Sequence, residues 1–278
     1  MKSYTTALSI AGSDPSGGAG IQADLKTFSA LGCYGMSVIT ALTSQNTMGV
    51  RGIFDVTSEF VESQLIAILD DIEVDAVKIG MLHSPAIIEV VARCLNKYSV
   101  EKLVVDPVMF AKSGDRLIRD DAIESLRKDL IPRATVLTPN LPEAGEFLKR
   151  SIKTRDHMEE AAHALLKEGP SCVVIKGGHL DSGGSDDYLA FRSESGIEGQ
   201  WLYSRRETTP NMHGTGCTFS SAVGAYLAKG RELKEAVQSA KEYIAGTVQA
   251  GGEYSLGKGQ GPVSHFYKLW KEGGEDNK

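Results

Sequence analysis

The run Asn211-Met212-His213-Gly214-Thr215-Gly216-Cys217-Thr218 places two glycines and small polar residues immediately before a helical segment at residues 219–227. A turn of this composition aims consecutive backbone N–H groups at one point, with the helix dipole behind them. That arrangement suits an anion such as a phosphoryl group in transfer. Cys217 falls beside the anion. Its thiol can serve as a base or hydrogen-bond partner, because a helix N-terminus lowers a thiol pKa. It can equally be inert packing, the commoner state of a free cysteine.

A second set of polar groups follows apolar runs. Asp106 comes after Val104-Val105, Asn140 and Glu143 after Val136-Leu137-Thr138, and Lys176 after Val173-Val174-Ile175. Open α/β sheets bind ligands at the C-terminal ends of their strands. An acid, an amide with a second acid, and a lysine on one edge suit a magnesium nucleotide, because Mg2+ takes oxygen ligands and shares them with phosphates. Each residue alone reads as readily as a helix cap or ion-pair partner.

A third candidate is Gly12-Ser13-Asp14-Pro15-Ser16-Gly17-Gly18-Ala19-Gly20, between the first apolar run and a helix expected from about Ile21. Its glycines permit close backbone approach to a polar ligand. It lacks the Gly-Lys-Ser/Thr of a phosphate-binding loop and the spacing of a dinucleotide site. A plain strand-to-helix turn is the competing reading.

These groups need elements to hold them. Apolar runs at residues 8–11, 77–82, 103–108, 135–137 and 172–175 alternate with helical periodicity, as in Phe60, Val61, Leu65, Ile68, Leu69 and Ile72, or Ile87, Val91 and Leu95. The alternation predicts an α/β fold with a mostly parallel sheet. Leu233, Val237, Ala240, Ile244 and Val248 predict a last helix against it. Residues 180–209 read differently: a turn cluster at 181–187 precedes strand candidates at 188–192 and 200–203, predicting an antiparallel edge hairpin, either surface elaboration or a lid. Residues 273–278 carry Gly and charge without apolar anchors and read as a frayed terminus.

Composition sets the class. At 278 residues without an internal repeat or low-complexity linker, one domain is expected. The 30 Lys and Arg against 36 Asp and Glu leave a net charge of -6, which disfavours nucleic acid as a partner. Cys33, Cys94, Cys172 and Cys217 form no CxxC pair, which argues against a zinc site or disulfide framework and for a reducing cytoplasm. The opening apolar stretch stops at Gly12, too short for a signal or membrane span.

Taken in order, several segments resemble one family. These are the run from Ile10 through the glycine loop to Ile21-Gln22-Ala23-Asp24, then Thr40-Ala41-Leu42-Thr43-Ser44-Gln45-Asn46-Thr47 and Lys78-Ile79-Gly80-Met81-Leu82. Asp106-Pro107-Val108-Met109 with Lys112-Ser113-Gly114 follows, then Thr138-Pro139-Asn140-Leu141-Pro142-Glu143-Ala144 and Lys176-Gly177-Gly178-His179. His213-Gly214-Thr215-Gly216-Cys217-Thr218 and Gly257-Lys258-Gly259-Gln260-Gly261-Pro262-Val263 complete the series. Spanning about residues 7 to 270, they closely resemble the hydroxymethylpyrimidine/phosphomethylpyrimidine kinases.

The resemblance implies a ribokinase-like three-layer α/β/α fold, usually homodimeric, using ATP and Mg2+. It would phosphorylate 4-amino-5-hydroxymethyl-2-methylpyrimidine and then its monophosphate. It implies that Gln45 hydrogen-bonds the aminopyrimidine, with Gly12, Asp24, Met81 and Val108 near the ring. Asp106, Asn140 and Glu143 would serve Mg2+ and phosphates, Lys176 the ATP phosphates, and Gly214, Thr215 and Gly216 an anion hole. Cys217 stands where many ribokinase relatives carry a catalytic aspartate. Cysteine there is shared with some pyridoxal kinases, so pyridoxal kinase remains the alternative, with a non-catalytic ligand-binding relative the reading from another class.

Overall fold

The computed structural model describes residues 2–111, 114–180 and 184–270. Lys112, Ser113, residues 181–183 of the expected turn cluster and the expected frayed end at 273–278 lie outside the described residues.

The chain runs β1 (Thr6–Ser13), α1 (Gly20–Ala30), β2 (Tyr34–Asn46), β3 (Gly49–Asp55), α2 (Ser58–Leu69), β4 (Ala76–Ile79), α3 (Pro85–Lys97) and β5 (Leu103–Val105). It continues through α4 (Asp120–Asp129), β6 (Val136–Leu137), α5 (Leu141–Leu148), α6 (Arg155–Leu166), β7 (Cys172–Ile175), β8 (Asp187–Ser193), β9 (Gly196–Leu202), α7 (Thr215–Ala228) and α8 (Leu233–Gly251). The described strands form one sheet in the order β3-β2-β1-β4-β5-β6-β7-β8-β9. From β2 to β7 all pairings are parallel, and an antiparallel hairpin closes each side.

Side chains of successive strand residues point to opposite faces, and the buried residues divide accordingly. Leu103 and Val105 join Ile79, Leu137 and Val173 in a core with α2 to α6, while Val104 turns the other way with Val136, Val174 and helices α7 and α8. Near-continuous apolar strands are the signature of a sheet covered on both faces. The result is a three-layer α/β/α sandwich. Among the described residues no helix is long and apolar enough to cross a membrane.

The expected edge hairpin is present as β8 and β9, joined by a turn at Glu194-Ser195, with its second strand starting at Gly196, four residues before the expected Gln200. The second hairpin, β2 and β3, was not foreseen. The far half of β2 carries Thr43, Ser44, Gln45 and Asn46, whose polarity masks the alternation that marks a strand. Strand order reverses between β1 and β4: β2 lies beyond β1 on one side, and β5 beyond β4 on the other. A crevice at such a switch point is where sheets of this kind bind ligands.

Candidate active site

The polar groups expected past the strands do converge. Beyond the ends of β6 and β7 an isolated parallel bridge pairs Asn140 with Lys176, so the lysine leaves the sheet beside the end of β5. Lys176 Nζ donates to Asp106 Oδ1 at 2.8 Å, and Ser220 Oγ donates to Asp106 Oδ2 at 3.0 Å. Burial would raise the Asp106 pKa, but Lys176, Lys78 and these hydrogen bonds outweigh it and hold the carboxyl below its usual range. Burial would likewise lower that of Lys176, and Asp106 with Glu143 outweighs it in turn. The acid and the lysine are therefore a charged pair.

Asn140 and Glu143 form a capping box on α5: Glu143 N–H donates to Asn140 Oδ1 at 3.0 Å, and Asn140 N–H donates to Glu143 Oε2 at 2.7 Å. This is the helix-cap reading realised, and it fixes Glu143 beside Lys176. Burial, with the nearby Asp106 charge, pushes the Glu143 carboxyl up to about 7, against the pull of Lys176.

α7 starts at Thr215, one turn earlier than the apolar pattern suggested. Gly214 is its N-cap at φ +81, and a Cβ there would stand 1.7 Å from the Gly18 carbonyl oxygen. Only glycine permits both the dihedral and the contact. Thr215 N–H turns back to Met212 O at 3.4 Å, which leaves Gly216 and Cys217 as first-turn donors with no preceding helical carbonyl. A Cβ on Gly216 would lie 3.4 Å from Lys176 Nζ and 3.9 Å from Asp106 Oδ2, so the helix start faces the ion pair across a side-chain-free gap.

The glycine loop after β1 closes on the same point and is more than a turn. Asp14 accepts from Ser16 and Ala19 and pairs with His213 Nε2 at 2.7 Å. A Cβ on Gly18 would lie 2.3 Å from the His213 ring. Burial disfavours the Asp14 charge, yet His213 and the Ser16 and Ala19 hydrogen bonds bring its pKa down to about 2.

Cys217 departs from expectation. Its position beside a helix N-terminus implies a lowered pKa, but burial pushes the thiol up to about 11; Asp24 and Asp106 add to the rise, against Lys78 and the Gly20 backbone. At neutral pH it is a thiol.

Gly12, Gln45, Met81, Val108, Asp106, Asn140, Glu143, Lys176, Gly214, Thr215, Gly216 and Cys217 all line one cleft of about 1240 Å³. Drug-sized ligands fill pockets of roughly 300 to 1,000 Å³, so there is room for two small molecules. Met81, Val108 and Leu117 belong to one apolar cluster that lines the cleft, and a Cβ on Gly12 would come within 3.0 Å of the Met81 sulfur. Asp24 does not join them. It is fully buried behind the cleft-lining Lys78, bound by Lys78 Nζ at 2.8 Å and by Ser9 and Ser221 at 2.6 Å.

Lys78 itself lines the cleft and escaped the sequence reading, as did Asp187 and Lys241, which pair at 2.7 Å further along it. Lys78 lies inside β4 and not past its end, so the strand-end rule that finds Lys176 passes over it; a lone charge within an apolar run is the signal that could have found it. The Asp187–Lys241 pair spans 54 residues and left none.

The sequence profile described as phosphomethylpyrimidine kinase matches residues 14–264. A hydroxymethylpyrimidine/phosphomethylpyrimidine kinase of Rhizobium meliloti is 48% identical over 96% of this chain and 98% of its own. One of Escherichia coli is 45% identical over 95% and 98%. Among solved structures, an ADP complex of Bacillus subtilis pyridoxal kinase superposes with a TM-score of 0.86 at 40% identity, covering 96% of this chain and 99% of that one. A phosphomethylpyrimidine kinase of Clostridium difficile superposes at 0.74 with 47% identity, covering 86% and 97%.

Proposed function

The chain belongs to the hydroxymethylpyrimidine/phosphomethylpyrimidine kinase family, and from that premise we propose how its cleft moves a γ-phosphoryl group from ATP to the pyrimidine hydroxymethyl oxygen and then to the resulting monophosphate. The observation that carries the proposal is one continuous cleft. It has an apolar wall with the Gln45 amide at one end, and the Lys176–Asp106 pair opposite the start of α7 at the other. The fold is ribokinase-like, and pyridoxal kinases share it closely. Identities of 45 to 48% to pyrimidine kinases favour the pyrimidine reading. ADP release measured with each acceptor tests it: kcat/KM for the pyrimidine should exceed that for pyridoxal. The reverse order would make this a pyridoxal kinase.

Transfer of this kind needs positioning and charge neutralisation more than covalent chemistry. Lys176 holds the transferring phosphoryl as a point charge, and the N–H groups of Gly216 and Cys217 take its developing charge. The donor set fits Mg2+, which keeps several waters and asks only one or two carboxylates of a protein. Asp106 is ionised, and Glu143 is held beside it by the capping box. With Asn140 near, these residues would hold the ion, which supplies neutralisation of the nucleotide phosphates.

Glu143 gives this a pH signature. Its carboxyl, at about 7 instead of 4.5, keeps its proton up to neutrality. A cation binds the carboxylate, so affinity for MgATP should rise as pH passes through about 7 and level off above. Folding runs the other way, losing stability as pH rises from 4.5 to about 7, because the folded state binds that proton more tightly. Titration calorimetry with Glu143→Gln should show weaker binding with this step abolished; a step that persists in the variant assigns it elsewhere.

Gln45 presents an amide that donates and accepts at once, matching the amino group and adjacent ring nitrogen of an aminopyrimidine. Thr43 Oγ1 donates to its Oε1 at 3.1 Å, which orients the amide. Gln45→Ala should raise KM for the pyrimidine by the equivalent of about 1 to 3 kcal/mol, with KM for ATP unmoved. An unchanged kcat/KM removes Gln45 from the ring site.

The protein is also read as a cytoplasmic homodimer. Leu42 and Phe54 pair across β2 and β3 yet are 45% and 71% exposed, and Phe60 nearby is 61% exposed, an apolar patch fit for a second copy. Light scattering gives the mass, and Phe54→Lys should halve it.

A further inference from the structure

The segment Gly257-Lys258-Gly259-Gln260-Gly261-Pro262 has no part in the transfer as described, yet it is pinned at both ends and in its middle. Where α8 ends, Asn211 Nδ2 donates to the carbonyls of Gly251 at 2.7 Å and Tyr254 at 2.6 Å. The chain returns to the same place at Gly261, whose carbonyl accepts from His213 N–H at 3.0 Å, and at Val263, whose N–H donates to His213 O at 3.4 Å. Between these feet it travels to the tip of the β2–β3 hairpin. There Gly259 N–H donates to Thr47 Oγ1 at 3.1 Å and Gln260 N–H to Thr47 O at 2.9 Å.

The glycines are demanded by contact. A Cβ would lie 2.4 Å from Thr47 Oγ1 at Gly257, 2.1 Å from Thr47 O at Gly259 and 2.0 Å from Asn211 Oδ1 at Gly261. Non-bonded carbon and oxygen do not approach so closely, so a side chain at any of the three would lift the strap from its partner. Thr47 is two residues from Gln45, and Asn211 and His213 lead into Gly214. On its other side the hairpin is held by Val50, whose N–H donates to Asp115 Oδ2 at 3.3 Å and whose side chain packs with Ile53 on the Met81 cluster, while β3 is an edge strand and Ser44, Asn46 and Met48 are exposed.

We infer that residues 252–262 are a strap that sets the distance between the two ends of the cleft, with Thr47 a positioning residue that acts through Gln45. The inference rests on reading the cleft as a pyrimidine kinase site. In-line transfer is sensitive to displacements of about an ångström, which gives such a brace a purpose.

Kinetics of Thr47→Val, Thr47→Ser and Gly259→Ala test it. Thr47→Val should raise KM for the pyrimidine roughly threefold to tenfold, the factor one net hydrogen bond sets. Gly259→Ala should raise it further, KM for MgATP should stay put, and Thr47→Ser should behave as wild type. In a Gln45→Ala background, Thr47→Val should add little, because the contact it positions is gone. Full additivity there, equal changes in KM for MgATP, or no change at all would overturn the strap. Should the wild type fail to use the pyrimidine, the functional reading falls and the strap is still decided by hydrogen exchange. Amides of residues 44–50 should exchange faster in Gly259→Ala, and unchanged exchange refutes the brace.

Discussion

Lys176→Ala should lose on the order of 10² to 10³ in kcat with both the pyrimidine alcohol and its monophosphate, the usual effect of removing one preorganised stabilising group. The lysine touches Asp106 and faces the start of α7, so it serves whichever acceptor is bound. The loss is also electrostatic. Without the ammonium, Asp106 keeps Lys78 and Ser220 but loses its paired cation, Glu143 retains its proton to higher pH, and the pH step in MgATP binding should move upward. Breaking a buried pair costs about 3 to 5 kcal/mol of stability, so thermal melting must accompany the kinetics. A folded Lys176→Ala enzyme with normal turnover of both acceptors would make Lys176 structural.

Cys217→Ala should separate the two transfers. The alcohol must lose a proton as it is phosphorylated, whereas the monophosphate acceptor is already an anion and needs no base. Removing the thiol should slow the first transfer most at alkaline pH, where the thiolate forms, by up to roughly 10² to 10⁴, and spare much of the second, because the backbone N–H groups survive the change. Because the thiol sits at about 11 instead of below its free value, the first step should accelerate by about tenfold per pH unit between 7 and 9 in the wild type. It should lose that slope in Cys217→Ala. Single-turnover measurements on each acceptor decide. Equal small losses mean that Cys217 packs, and equal large losses mean that the anion hole is damaged.

The parallel core was legible because strands buried on both faces announce themselves as short apolar runs, and the residues just past them, Asp106, Asn140 and Lys176, were legible by the same token. Tertiary neighbours were not. Cys217 was read from its own helix, where a dipole lowers a thiol, while its titration is governed by burial and by Asp24 and Asp106, far away in sequence. Asp24 carried a motif position but no sign that Lys78, Ser9 and Ser221 would seal it behind the cleft. The β2–β3 hairpin was hidden because the far half of β2 runs past the end of β1, paired only with β3, and carries polar residues toward the cleft mouth.

Phosphorus NMR of one reaction, with the pyrimidine alcohol as sole acceptor and MgATP in excess, tests the central claim most directly. One cleft serving two successive transfers predicts a monoester signal that rises and then gives way to a diphosphate pair, with two ADP formed per pyrimidine consumed. ADP formed without either phosphorylated pyrimidine, or no reaction while pyridoxal is phosphorylated, would contradict it.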